Sequence, residues 1–176
     1  FDPNVLRSAV GLNIGQQVQE GLTDRALKPL LAKSWKNVDD KTWEFELQSG
    51  VKFHNGEPFD AAAAKYSIER VLDENNKAPG RGILTPVIDK AEAVSPTTLR
   101  VTTKVPFALL LDVMLDVWMV PPQGSKQPDF ANKGWGTGPY RVKEWVRNER
   151  VALEANPDYW GPKPKIGEVV FRPVAE

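Results

Sequence analysis

The chain has 176 residues, 41% of them hydrophobic, with 23 basic and 23 acidic side chains that cancel overall. One domain with a core is affordable at this length, and the missing basic surplus demotes a nucleic-acid binder, which must neutralise phosphates. No Cys and a single His exclude disulfide scaffolds, thiolate zinc sites, cysteine nucleophiles and sites that need two imidazoles.

In chain order, Ser8 is placed to cap a helix running to about Glu20, with Val10, Ile14 and Val18 spaced by four. Pro29 ends any helix before it. Residues 42–47 alternate apolar with polar and predict a half-buried strand. Gln48-Ser49-Gly50 then reads as a turn, with residues 51–53 returning as the second arm of a hairpin. Asp60 is a good N-cap for a helix over 61–72, whose apolar stripe is Ala64, Ile68, Val71 and Leu72. Residues 75–82 read as a loop. A second hairpin spans 90–94 and 99–103 around Ser95-Pro96-Thr97-Thr98. A helix is expected from Pro106 to about Leu115, then a short strand over 117–120 and a polar loop over 121–134. The stretch 107–120 is the most apolar, but it is too short to span a bilayer and holds Asp112 and Asp116. A third hairpin pairs 140–146 with 151–155, and 169–171 is a last strand. The order of elements is α+β, a mixed sheet with antiparallel hairpins and flanking helices.

Few side chains suggest chemistry. Asp112 and Asp116 lie four apart, which suits a carboxylate pair or a solvated helix face. His54, beside Asn55-Gly56, reads as a general base or a turn residue. Gly136-Thr137-Gly138-Pro139 begins like a phosphate loop but lacks the Gly-Lys-Ser/Thr that would complete one. Trp43 and Trp145 are expected in the core, and Trp35 and Trp160 are expected to pack. Trp118 and Trp135 lie where a strand meets a loop, suited to stacking on a sugar, peptide or base or to simple packing. These residues leave open a carbohydrate-active or carbohydrate-binding domain using Trp118, Trp135 and a carboxylate pair. An interaction module that self-associates through an open sheet edge is a further possibility.

Longer phrases are more specific. Leu31-Ala32-Lys33-Ser34-Trp35, Thr42-Trp43-Glu44-Phe45-Glu46-Leu47 and Val51-Lys52-Phe53-His54-Asn55-Gly56-Glu57-Pro58-Phe59-Asp60 follow one another. Asp2-Pro3 and Glu20-Gly21-Leu22 precede them; Gly136-Thr137-Gly138-Pro139-Tyr140, Glu144-Trp145 and Asn156-Pro157-Asp158-Tyr159-Trp160-Gly161 follow. This series resembles the extracytoplasmic solute-binding proteins of peptide, dipeptide and nickel ABC importers, bacterial solute-binding family 5, over essentially the whole chain. The resemblance implies a two-lobed, hinged receptor that closes on a small-molecule or peptide ligand and delivers it to ABC permease subunits in the membrane. It implies no enzyme activity, no cofactor, no metal, and a periplasmic place or one on the outer face of the cytoplasmic membrane. Residues 1–176 are expected to form a single partial lobe, with the second lobe absent. By the same resemblance, Arg7, Ser8 and Ala9 fall where the cleft is lined, Arg81 near an aromatic cleft loop, Trp118 near the cleft end of a strand and Trp135 near the hinge. Arg7 stands where peptide receptors can carry an acid, which favours a carboxylate or phosphate on the ligand.

Overall fold

The computed structural model describes Asp2 and residues 9–173. Ser8 and Arg7 lie outside the described residues. Helix α1 spans Ala9–Val18, close to the expected helix. Strand β1 (Ala32–Asn37) then pairs antiparallel with β2 (Thr42–Leu47). Along β2 the alternation holds: Trp43, Phe45 and Leu47 are buried between more exposed neighbours. The expected hairpin of β2 with residues 51–53 does not form. Both edges of β2 are already occupied, by β1 on one side and by β4 (Thr98–Thr103) on the other. Residues 51–59 instead close on themselves. Phe53 N–H donates to Glu57 O at 2.8 Å and Phe59 N–H to Val51 O at 2.9 Å, around Gly56 at φ 88°.

Helix α2 (Ala61–Leu72) begins as its sequence dictates. The Asp60 side chain accepts the Ala63 N–H at 2.9 Å, satisfying one of the orphan donors of the first turn. Its buried face includes Ala64, Ile68 and Val71, and Leu72 packs at the edge of the same core. The expected loop 75–82 holds a 3-10 turn, Glu74–Asn76, and the start of a one-turn helix α3 (Arg81–Leu84). Strand β3 (Ile88–Ser95) pairs with β4 as the second expected hairpin. The four strands run β1-β2-β4-β3, with Trp43 opposite Val101 and Phe45 opposite Leu99. One face of this sheet packs on α2 to form the main core.

The helix expected over 106–115 shrinks to α4 (Leu110–Val113), and 117–120 is not a sheet strand. The chain leaves the helix to bury Val117, Trp118, Met119 and Val120. Three of their amides are satisfied without a ladder: Val117 N–H donates to Met114 O at 2.9 Å, Met119 N–H to Glu20 O at 2.9 Å, and Val120 N–H to Ser67 Oγ at 3.0 Å. After the short helix α5 (Phe130–Lys133), β5 (Tyr140–Val146), β6 (Arg150–Ala155) and β7 (Glu168–Phe171) form a separate antiparallel sheet, β5-β6-β7. Its smaller core joins Ile14 and Val18 of α1 to Tyr140, Val151 and Leu153. Trp145 does not enter it. It lies on the edge strand β5, beyond a bulge at Val142/Glu144, and stays 42% exposed. Among the described residues no helix is long and apolar enough to cross a membrane.

Candidate functional site

The segments carrying the sequence phrases converge on one buried carboxylate. Glu20, just past α1, is 5% exposed. Its Oε2 accepts from Thr137 Oγ1 at 2.7 Å and from Trp160 Nε1 at 2.9 Å, and its Oε1 accepts from Tyr159 Oη at 2.7 Å. Burial pushes the Glu20 carboxyl above its usual range, and the three donors only partly oppose that. Burial beside Glu20 likewise pushes the Tyr159 hydroxyl up, so it stays protonated and donating.

A second clasp holds the chain around residue 136. Gly136 N–H donates to His54 Nδ1 at 3.2 Å, so Nδ1 is unprotonated and the proton sits on Nε2, which donates to Gly138 O at 2.9 Å. Burial first, and the charge of Arg141 in addition, drives the His54 pKa down to about 4, so the ring is neutral. Glycine is required here by close approach. A Cβ on Gly136 would lie 2.2 Å from Val18 O, and one on Gly138 2.7 Å from the same oxygen. The segment that begins like a phosphate loop is thus wedged against the end of α1.

Beside the Glu20 clasp opens a cavity of about 260 Å³, with Gln16, Gln19, Glu20, Arg25, Trp118 and Tyr159 among its walls. Trp118 is 6% exposed and forms a wall of this cavity, the packed one of the two readings its sequence position left open. Arg25 Nη2 pairs with Asp116 Oδ1 at 2.8 Å, both side chains remaining well exposed. Sequence reasoning took Glu20 and Tyr159 only as parts of matching phrases and gave Arg25 no role. Their signal was the co-occurrence of Glu-Gly-Leu with Asn-Pro-Asp-Tyr-Trp, whose side chains meet across 139 positions.

The other expected site residues lie elsewhere. Ala9 opens α1, about 14 Å along the helix from Val18 at the end that leads to the Trp118 cavity. Arg81 is turned to its own loop, where Nε donates to Leu72 O at 3.0 Å and Nη2 lies 3.7 Å from Glu74. Trp135 packs on Phe130, with ring centroids 6.4 Å apart, and lines a different cavity of about 220 Å³. The carbohydrate-site alternative therefore loses its geometry. Trp118 and Trp135 do not share a cavity, and α4 ends before Asp116. Among the described residues no three His, Asp or Glu side chains gather as metal ligands. Glu20 and His54 both spend their acceptor and donor atoms inside the protein. The arrangement builds a shaped wall and leaves neither group poised for proton transfer.

Comparison with known proteins agrees with this architecture. The family model described as "Bacterial extracellular solute-binding proteins, family 5 Middle" matches residues 26–176. The nickel-binding periplasmic protein of Escherichia coli (strain K12) is 34% identical over 160 residues, 87% of this chain and 30% of that protein. The glutathione-binding protein GsiB of Shigella boydii serotype 4 is 30% identical over an alignment covering 100% of this chain and 36% of its own length. The chain thus spans about a third of the length of the curated relatives it matches. Among solved structures, the ABC transporter substrate-binding protein CtaP from Listeria monocytogenes superposes with a TM-score of 0.88 at 30% identity. That match covers 97% of this chain and 37% of CtaP.

Proposed function

The chain belongs to the bacterial extracellular solute-binding proteins of family 5, and on that premise we propose that residues 1–176 form part of one lobe of an importer's receptor. The receptor captures a peptide-like or other small polar solute by hinge closure and hands it to an ABC permease. It acts in the periplasm or on the outer face of the cytoplasmic membrane, and it makes or breaks no bond. Relatives named for nickel and for glutathione support a small polar ligand.

The observation that carries this reading is the Trp118 cavity. Its indole is buried in the wall, and the next residue, Met119, ties the backbone to Glu20, whose carboxylate in turn holds Tyr159 and Trp160. A rigid aromatic wall with polar groups around it suits a recognition surface, because little side-chain entropy is lost when a ligand arrives. Arg25 and Asp24 line its wall, and Arg25 pairs with the exposed Asp116, so both signs of charge are at hand for a zwitterionic solute.

The test is calorimetric titration of the full-length receptor with peptide pools, glutathione, opines and nickel chelates. We expect a solute that binds saturably, and we expect Trp118→Ala to weaken it by roughly thirtyfold, the equivalent of about 2 kcal/mol for a buried aromatic contact. A receptor that binds no member of these classes, or one whose affinity ignores Trp118→Ala, would sink the reading.

A further inference from the structure

A larger and differently charged opening lies away from Trp118. This cavity, of about 660 Å³, sits between the turn that follows Phe53, the start of β5 and residues 156–163. Lys52, Arg141 and Lys163 line it, against one lining carboxylate, Asp158. His54 and Asn156 line it too, but their polar atoms are engaged. Gly138 O accepts from His54 Nε2 at 2.9 Å and from Asn156 Nδ2 at 3.3 Å, while Asn156 Oδ1 accepts the Asp158 N–H at 3.1 Å. The cations are less satisfied. Lys163 Nζ donates to Pro157 O at 2.6 Å, which uses one of its three protons. Lys52 is exposed, and among the described residues neither lysine is paired with a carboxylate. Arg141 Nη2 lies 3.8 Å from Glu154 Oε1, beyond hydrogen-bond reach, and its Nε is buried with no hydrogen-bond partner.

A forked guanidinium and two lysines lining one cavity, against a single carboxylate, match an oxyanion. We propose that this cavity, which meets the solute cavity at Tyr159, is a second binding site for a phosphate-class oxyanion held by Arg141, Lys52 and Lys163. The anion is either free inorganic phosphate or the headgroup of an anionic lipid. The cavity's own neutral His54 is not a ligand, since both its ring nitrogens are already used.

His54 supplies the probe, because it is the chain's single His and its ring lies in this wall. Inorganic phosphate is titrated into the chain at constant ionic strength, following the His54 resonances and the heat released. The expected result is a saturable shift and heat, both weakened by about tenfold or more in Arg141→Gln. In a second arm, the protein is sedimented with phosphatidylglycerol or phosphatidylcholine vesicles. Sedimentation with the former alone, lost in Arg141→Gln, assigns the site to a lipid headgroup; saturation by phosphate without sedimentation assigns it to the free anion. A response matched by chloride, or none in either arm, overturns the proposal. Should Arg141→Gln fail to fold, Lys52→Glu at its exposed position serves instead, and unchanged phosphate affinity in that variant also overturns it.

Discussion

His54 joins residues 54, 136 and 138 through a neutral ring, and that neutrality has a pH signature. The folded pKa is near 4, against about 6.5 when the ring is exposed. Between those values the unfolded chain binds a proton that the folded chain does not. The stability from the neutral ring is therefore complete above about pH 6.5 and is lost as pH falls through that window, to a total on the order of 3 kcal/mol. Glu20 acts with the opposite sign: its raised carboxyl makes stability fall as pH climbs above its usual range. Urea midpoints measured across the acid range should drop with falling pH in the parent, and His54→Gln should flatten that drop. An unchanged slope in the variant would refute the assignment. The sequence marked His54 as base or turn residue; only the approach of Gly136 and Gly138 decided its tautomer and its silence as a base.

At the scale of elements, local signals were read well where neighbours in sequence supply the partners. Asp60 caps α2 within its own first turn, and Asp60→Ala should cost about 1 kcal/mol in a denaturation measurement. A loss indistinguishable from zero would mean that tertiary packing alone sets the helix start. The hairpins β3-β4 and β5-β6 were equally legible, because each is closed by a short connection. Strand β1 was not identified as a strand. It shows the burial pattern of an edge, with Ala32 inside and most of the rest outward, so its alternation is weak. Residues 117–120 misled in the other direction. Their apolar run reads as a strand, yet the Met119 and Val120 amides go to Glu20 O and Ser67 Oγ, acceptors distant in sequence. The bulge in β5 shifted the register and put Trp145 outside, which no alternation count reveals.

At the scale of the whole molecule, the described residues gather in two cores of unequal size. The sheet β1-β2-β4-β3 is backed by α2 and a long list of fully buried side chains, whereas β5-β6-β7 rests mainly on Ile14 and Val18 of α1. Opening the smaller sheet exposes less apolar surface. Amide hydrogen exchange should therefore show β6 less protected than β2 and β4; equal protection would indicate one cooperative unit. The sequence by itself determined the α+β class, the strand faces of β2 and β4, the cap of α2 and the family, because alternation, capping and ordered phrases are written in neighbouring residues. The tertiary structure alone decided which strands flank β2, which Trp lines a cavity, and that Glu20 and His54 are clasps. Those outcomes depend on groups distant in sequence, more than eighty positions apart for the two clasps, brought together only by burial.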